Sequence, residues 1–203
     1  MVRPPGLLTV VVLALAAGLL QAQEPPRTPF VVRGACPFEC CQLGAWTARD
    51  TLPVFDRERA TGSPRFLFLP GDAFRADSAD FYTLALGLIR ARRPFSLLDY
   101  LAARDSASRA APGLAPLRAP LAAGDSIYLV GEASEEGPVV WARGTTAVVE
   151  PFWAEGSEFD DPAAPAMLVR PIVHEWWVHV TAQGRSGWIQ AWNRGIDGAD
   201  ACA

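Results

Sequence analysis

The stretch Gly34 to Trp46, GACPFECCQLGAW, carries three of the chain's four cysteines, and the fourth, Cys202, stands one residue from the end. These sulfurs constrain the fold more than any other feature, because a redox centre, a metal site and a staple demand different surroundings. The compartment narrows the choice. Arg3 gives a short basic start, Leu7 to Leu20 (LLTVVVLALAAGLL) is an apolar run of secretory length, and Ala22 offers a small residue for cleavage before Gln23 and Glu24. This is the pattern of a signal peptide over residues 1–22, short for a membrane span, with retention as an anchor the alternative. No cysteine follows the apolar run directly, which argues against lipid modification. The mature chain is expected to be secreted or periplasmic, in an oxidising place where cysteines pair.

Four cysteines then mean two disulfides, with three possible connectivities. Adjacent Cys40 and Cys41 disfavour bridging each other, because the small ring strains the peptide. The arrangement we expect joins Cys36 to Cys41 in a small loop and Cys40 to Cys202, tying the chain ends together. The competing chemistries fit less well. A thioredoxin-like motif separates its cysteines by two residues and opens a helix; Cys36 and Cys40 are separated by three and their surroundings read as β. A zinc site needs four thiolate or imidazole ligands, and His174 and His179 have odd relative parity on a strand, which points them to opposite faces. We expect no metal and no cofactor.

About 180 mature residues suffice for one medium domain or two small ones. Every basic residue is arginine, and the formal net charge is −4. Removing the first 22 residues, whose only charge is Arg3, makes it −5. A mildly acidic chain with no basic block is a poor nucleic-acid binder.

A Pro-rich spacer over residues 23–33 precedes the cysteine cluster. Short apolar runs cut by turn residues follow: Trp46–Ala48, Leu52–Asp56 and Phe66–Leu69 read as strands. Phe81–Ala91 reads as a longer strand that Gly87 interrupts. Ser96 to Arg104 has a capping serine, an acid three residues later and near-helical apolar spacing, which predicts a short helix. The Ala/Pro-rich piece at 110–120 reads as a linker. Ser126–Val130 and Pro138–Ala142 are further strands, and Glu155–Pro165 is an acid- and proline-rich loop. Glu175–Thr181, EWWVHVT, alternates with period two and joins Gly187–Gln190 through a Gly-containing turn, which predicts a hairpin. Gly71-Asp72 and Gly124-Asp125 each stand two residues before an apolar strand residue, a weak internal repeat that suggests two small β units.

The Gly124-Asp125 turn, Trp177-Val178-His179-Val180, Gly184 and the closing Gly187-Trp188-Ile189 together resemble bacterial SH3-like (SH3b) domains. Cys36-Pro37-Phe38-Glu39-Cys40-Cys41 with Gly44 and Trp46 is similar to an entry segment found ahead of such units in secreted bacterial proteins. The resemblance implies an all-β fold of two small SH3-like β-barrels in tandem, unit 1 over 34–109 and unit 2 over 121–195, with a tail at 196–203 that carries Cys202. It also implies a non-catalytic module that binds cell-wall peptide or glycan, or a partner protein. No Ala-Leu-Tyr-Asp-Tyr motif is present, so the Pro-rich ligands of eukaryotic SH3 domains are not carried over.

The seven tryptophans supply the candidate contacts. Adjacent Trp176 and Trp177 face opposite sides of their strand. Trp176, Val178 and Val180 form the expected core face, and Trp177, His179 and Thr181 the other. Trp177 and Trp192 are the expected exposed aromatic pair, since exposed aromatics offer flat contact area. Trp177, His179, Trp192 and Tyr128 are the candidate ligand-binding residues, and no catalytic residue is expected. Arg90, Arg92 and Arg93 read as a charged strand end, Gly184-Arg185-Ser186-Gly187 as a hairpin turn rather than a nucleophile elbow. From other classes, the alternatives are a thiol-dependent redox protein using Cys40 and Cys41, or a purely structural envelope assembly factor.

Overall fold

The computed structural model describes residues 24–38, 40–96, 120–132, 137–149, 153–154 and 163–202. The expected signal peptide, the helix after Ser96, the linker before Pro120 and most of the acidic loop lie outside the described residues. Those described are all-β, with fourteen strands and no helix.

In chain order the strands are β1 (Phe30–Arg33), β2 (Ala45–Ala48), β3 (Leu52–Val54), β4 (Phe66–Phe68), β5 (Ala73–Ala85), β6 (Gly87–Ala91), β7 (Ser126–Glu132), β8 (Pro138–Ala142), β9 (Thr145–Val148), β10 (Trp153–Ala154), β11 (Ala166–Arg170), β12 (Val173–Ala182), β13 (Arg185–Gln190) and β14 (Ile196–Asp197). The first sheet runs β13-β12-β5-β2-β14, with β1 paired to the far end of β5. The second runs β10-β11-β6-β7-β8-β9, and β3 with β4 makes a two-stranded third.

No sheet closes into a barrel. The predicted hairpin is present: β12 and β13 pair antiparallel from Trp177–Gln190 to Ala182–Arg185. Gln183 and Gly184 turn it, both at positive φ (50° and 73°), as a two-residue hairpin loop of the mirror-image type requires. Its other edge lies along β5, from Val173–Ala85 to Thr181–Arg75. Strands expected in separate units therefore share one sheet. The physical reason is the apolar face of β12: Trp176, Val178 and Val180 need cover, and β5 with β2 brings Ala76, Ala79, Phe81 and Trp46 to the same core.

The stretch expected to be a longer strand interrupted at Gly87, 81–91, is broken there into two strands. β5 ends at Ala85, and β6 begins at Gly87 in the second sheet. A side chain at Gly87 would crowd Leu129 Cβ at 2.9 Å and the backbone at Arg170 and Ile172 at 3.2 Å. Glycine here allows the chain to cross between sheets where three segments converge. A second core lies under this sheet, with Ile89, Ile127, Leu129, Val140 and Ala166 at its centre.

The Gly-Asp repeat is a repeated turn. Leu69 N–H donates to Asp72 Oδ2 at 2.7 Å and Ala122 N–H to Asp125 Oδ2 at 2.8 Å. Gly71 and Gly124 sit at φ 92° and 87°, a conformation that favours glycine. One aspartate-closed turn thus launches β5 and β7.

Candidate functional site

All four cysteines are bonded, Cys36 to Cys41 and Cys40 to Cys202, the expected connectivity. Both bridges suit an oxidising, extracytoplasmic environment. Cys40, Asp200 and Cys202 place possible metal-ligand atoms within 4.8 Å of one another, but the two sulfurs are bonded to each other and offer no thiolate.

The predicted faces of β12 hold, but their exposure does not. Trp176 is in the core, and its indole N–H donates to Ala35 O at 2.9 Å. Trp177 faces the opposite side, yet it is only 5% exposed. The cause is a turn, Phe55–Arg59, that lies across this face. Phe55 closes on Trp177 edge-to-face at 5.8 Å, and two backbone hydrogen bonds of 2.8 Å pair Phe55 with Trp188 of β13. Gly187 makes this crossing possible, because a Cβ there would collide with Phe55 O. Trp192, the other half of the expected pair, is elsewhere: half-buried against the first core, with its ring edge-on to His174 at 4.3 Å and to Phe81 at 6.4 Å. His179 is half-buried, 5.2 Å from the Trp188 ring, with Nδ1 3.5 Å from Asp77 Oδ2. The structure brings none of these three together as an open aromatic groove.

On the same face as Trp177 lies a charge network that joins four elements. Arg33 of β1 pairs with Asp80 of β5 and, at 3.4 Å, with Glu58 of the turn. Arg59 Nε donates to Glu175 Oε2 at 3.0 Å, and the Trp177 indole N–H donates to the same oxygen at 3.0 Å. Both guanidinium groups lie over the Tyr82 ring, at 5.8 and 5.5 Å. Burial, a hydrogen bond to Asp80 and the Asp80 charge push the Glu58 carboxyl up to about 7, against the partial relief of Arg33.

Tyr128, the fourth predicted residue, stands at a groove. Its ring meets Trp141 edge-on at 5.7 Å, and it lines an open groove of about 710 Å³ with Leu84, Ala85, Leu86, Arg170 and the segment Glu24–Thr28. Arg170 is exposed, and its Nε donates to Leu86 O at 3.2 Å. The groove forms where the chain crosses between the two main sheets, so its wall is built from β5, the β5–β6 crossing, β7 and the end of β11. Sequence reasoning missed Arg170 and Leu84–Leu86, because a groove assembled at a sheet junction has no local spacing. The arginine run is engaged with its own chain, Arg92 with Met167 Sδ at 3.1 Å. Arg90 donates to Gly124 O and Ser126 Oγ, at 3.0 and 2.7 Å, and Arg93 to Ala163 O at 2.5 Å.

Two further groups feel burial. Both ring nitrogens of His174 are buried without a hydrogen-bond partner among the described residues, and desolvation lowers the pKa of the imidazole. Glu132, at the end of β7, is pushed up to about 7 by desolvation. A folded-state value above the ordinary 4.5 gives stability that is fully present below about pH 4.5 and is lost as pH rises through about 7. Glu132→Gln should therefore stabilise the protein at pH 8 by about 1–2 kcal/mol, allowing for solvent screening of a half-buried site, and do little at pH 4. Thermal unfolding of both forms at the two pH values checks this; equal melting temperatures at pH 8 would contradict it.

No protein-family model matches the chain, and neither a curated protein nor a solved structure matches it.

Proposed function

We propose that this chain is a secreted or periplasmic, non-catalytic binding module of SH3-like character, with the Tyr128–Arg170 groove as its ligand site. Its ligand class is carboxylate-bearing cell-envelope material, foremost the peptide of peptidoglycan. The observation that carries this reading is that a half-buried aromatic, Tyr128, and an exposed guanidinium, Arg170, line one open groove, with Arg27 and Glu24 also on its wall. An aromatic face offers flat contact area to peptide or sugar, and a guanidinium is the side chain best shaped for a carboxylate. Two disulfides and all-β packing supply the rigid frame that such a site needs. The SH3-like turn-and-hairpin residues agree with this reading, and the apolar run at the start of the sequence agrees with export.

Co-sedimentation with purified peptidoglycan tests it. Wild type should bind saturably, and Arg170→Gln and Tyr128→Ala should each weaken binding about tenfold, or about 1.4 kcal/mol. Folded, oxidised wild type that stays in the supernatant would overturn the wall-binding reading and favour a protein partner. Trp177 is a poor probe for this purpose, since its buried ring couples binding to stability.

A further inference from the structure

We propose that the turn Phe55–Arg59 is a proton-operated strap over the outer face of the first sheet: protonated Glu58 holds it shut over Trp177, and ionisation of Glu58 beside Asp80 releases it. This goes beyond the binding reading and does not depend on it, because the strap and the Tyr128 groove share no residue.

Charge count in a confined place sets the state of the strap. Glu58 is the turn's contact with β1 and β5, and its side chain is only 16% exposed. It meets Arg33 from β1 and Asp80 from β5 directly, and one contact further out stand Tyr82 from β5, Glu175 from β12 and Arg59 from its own turn. Arg59 is engaged with Glu175, so among the described residues Arg33 is the one guanidinium in contact with both Glu58 and Asp80. When Glu58 carries a proton, it donates to Asp80, and a single anion meets a single cation. When that proton leaves to water, two carboxylates share one arginine that is itself 67% exposed, and like charges held together in a half-buried site repel. Burial and Asp80 place this titration at about 7, within the range of ordinary environments.

The strap's other ties are few. Phe55 is tied by its two backbone bonds to Trp188 and by the Trp177 ring contact, Arg59 by its bond to Glu175 and its place over the Tyr82 ring, and Asp56 and Arg57 are exposed. Turns anchored by so few contacts open locally, well below the cost of global unfolding. Release would bare the Trp177 indole and the Tyr82 ring, with Arg33 and Arg59 at the rim.

Amide hydrogen exchange at Phe55 and Trp188 reads the strap directly, because their N–H groups make the two bonds that close it. With the ordinary chemical pH dependence removed, a shift of the Glu58 carboxyl from 4.5 to about 7 predicts that strap opening rises about tenfold between pH 6 and pH 8.5. The Val180 amide, in the core, should not change. Glu58→Gln keeps a hydrogen-bond donor and cannot ionise, so its strap should stay closed at both pH values. Glu58→Ala, with no donor, should be open at both. Equal protection of Phe55 and Trp188 in wild type at the two pH values overturns the proposal, as does a Glu58→Gln strap that opens with pH as wild type does.

Discussion

Removing the Cys40–Cys202 bridge, as Cys40→Ser with Cys202→Ser, is expected to lower stability by about 5 kcal/mol in the chain-entropy model. The bridge spans 162 residues of sequence, nearly the whole described chain, so it removes more freedom from the unfolded state than any other contact. The tail it holds is also structural. Ala201 N–H donates to Cys40 O at 2.8 Å, Gln42 N–H donates to Ala199 O at 2.9 Å, and Ala199 is buried in the first core. The Cys36–Cys41 bridge spans only 5 residues, and the same model gives about 2 kcal/mol for its loss. Urea denaturation of the two double-serine forms should show the long bridge costing more than twice the short one. Equal losses would contradict the loop-length account and point to native-state packing as the source of both.

Trp176→Ala should cost about 3–5 kcal/mol, the range for deleting a buried aromatic. Trp176 is 2% exposed and meets Phe38 edge-on at 5.6 Å and Trp46 at 5.9 Å. Its loss leaves a cavity where β12 packs on the cysteine loop, and it strips Ala35 O of a donor, which adds a desolvation cost. Trp176→Phe should recover part of the volume but not the hydrogen bond, and fall between. Urea midpoints for the two forms check the order; a Trp176→Ala form within 1 kcal/mol of wild type would contradict the placement of this ring at the centre of the first core.

Much of this arrangement was legible in the residues. The hairpin followed from strict alternation in EWWVHVT and a Gly-containing turn, and the same alternation assigned Trp176 to the core. The Gly-Asp pairs marked two copies of one turn. Compartment predicted two disulfides and ring strain excluded a Cys40–Cys41 bridge, which left two pairings open; the one we expected is the one observed. What the sequence hid was long-range. Burial of Trp177 depends on Phe55 pairing with Trp188, 133 positions away, and no local pattern announces that crossing. The first half of β5, AFRADSAD, is too polar to read as a central strand, yet it carries β2 on one side and β12 on the other. The expectation of two closed barrels came from the SH3-like resemblance and the Gly-Asp repeat, and no sheet among the described residues closes. Glu58, Asp80 and Arg33 are ordinary surface charges in sequence and become a part-buried network only when the turn, β5 and β1 meet. Tyr128 was a candidate on residue type; Arg170, which lines the same groove, needed the sheet junction.

The central claim is that ligand binding belongs to the Tyr128–Arg170 groove. Backbone NMR shift mapping with a soluble peptidoglycan stem peptide tests it most directly. Saturable shifts should concentrate at Leu84–Leu86, Tyr128 and Arg170, with saturation moved to about tenfold higher peptide by Arg170→Gln. Shifts that cluster on another face, or no shifts at millimolar peptide with the protein folded, would contradict it.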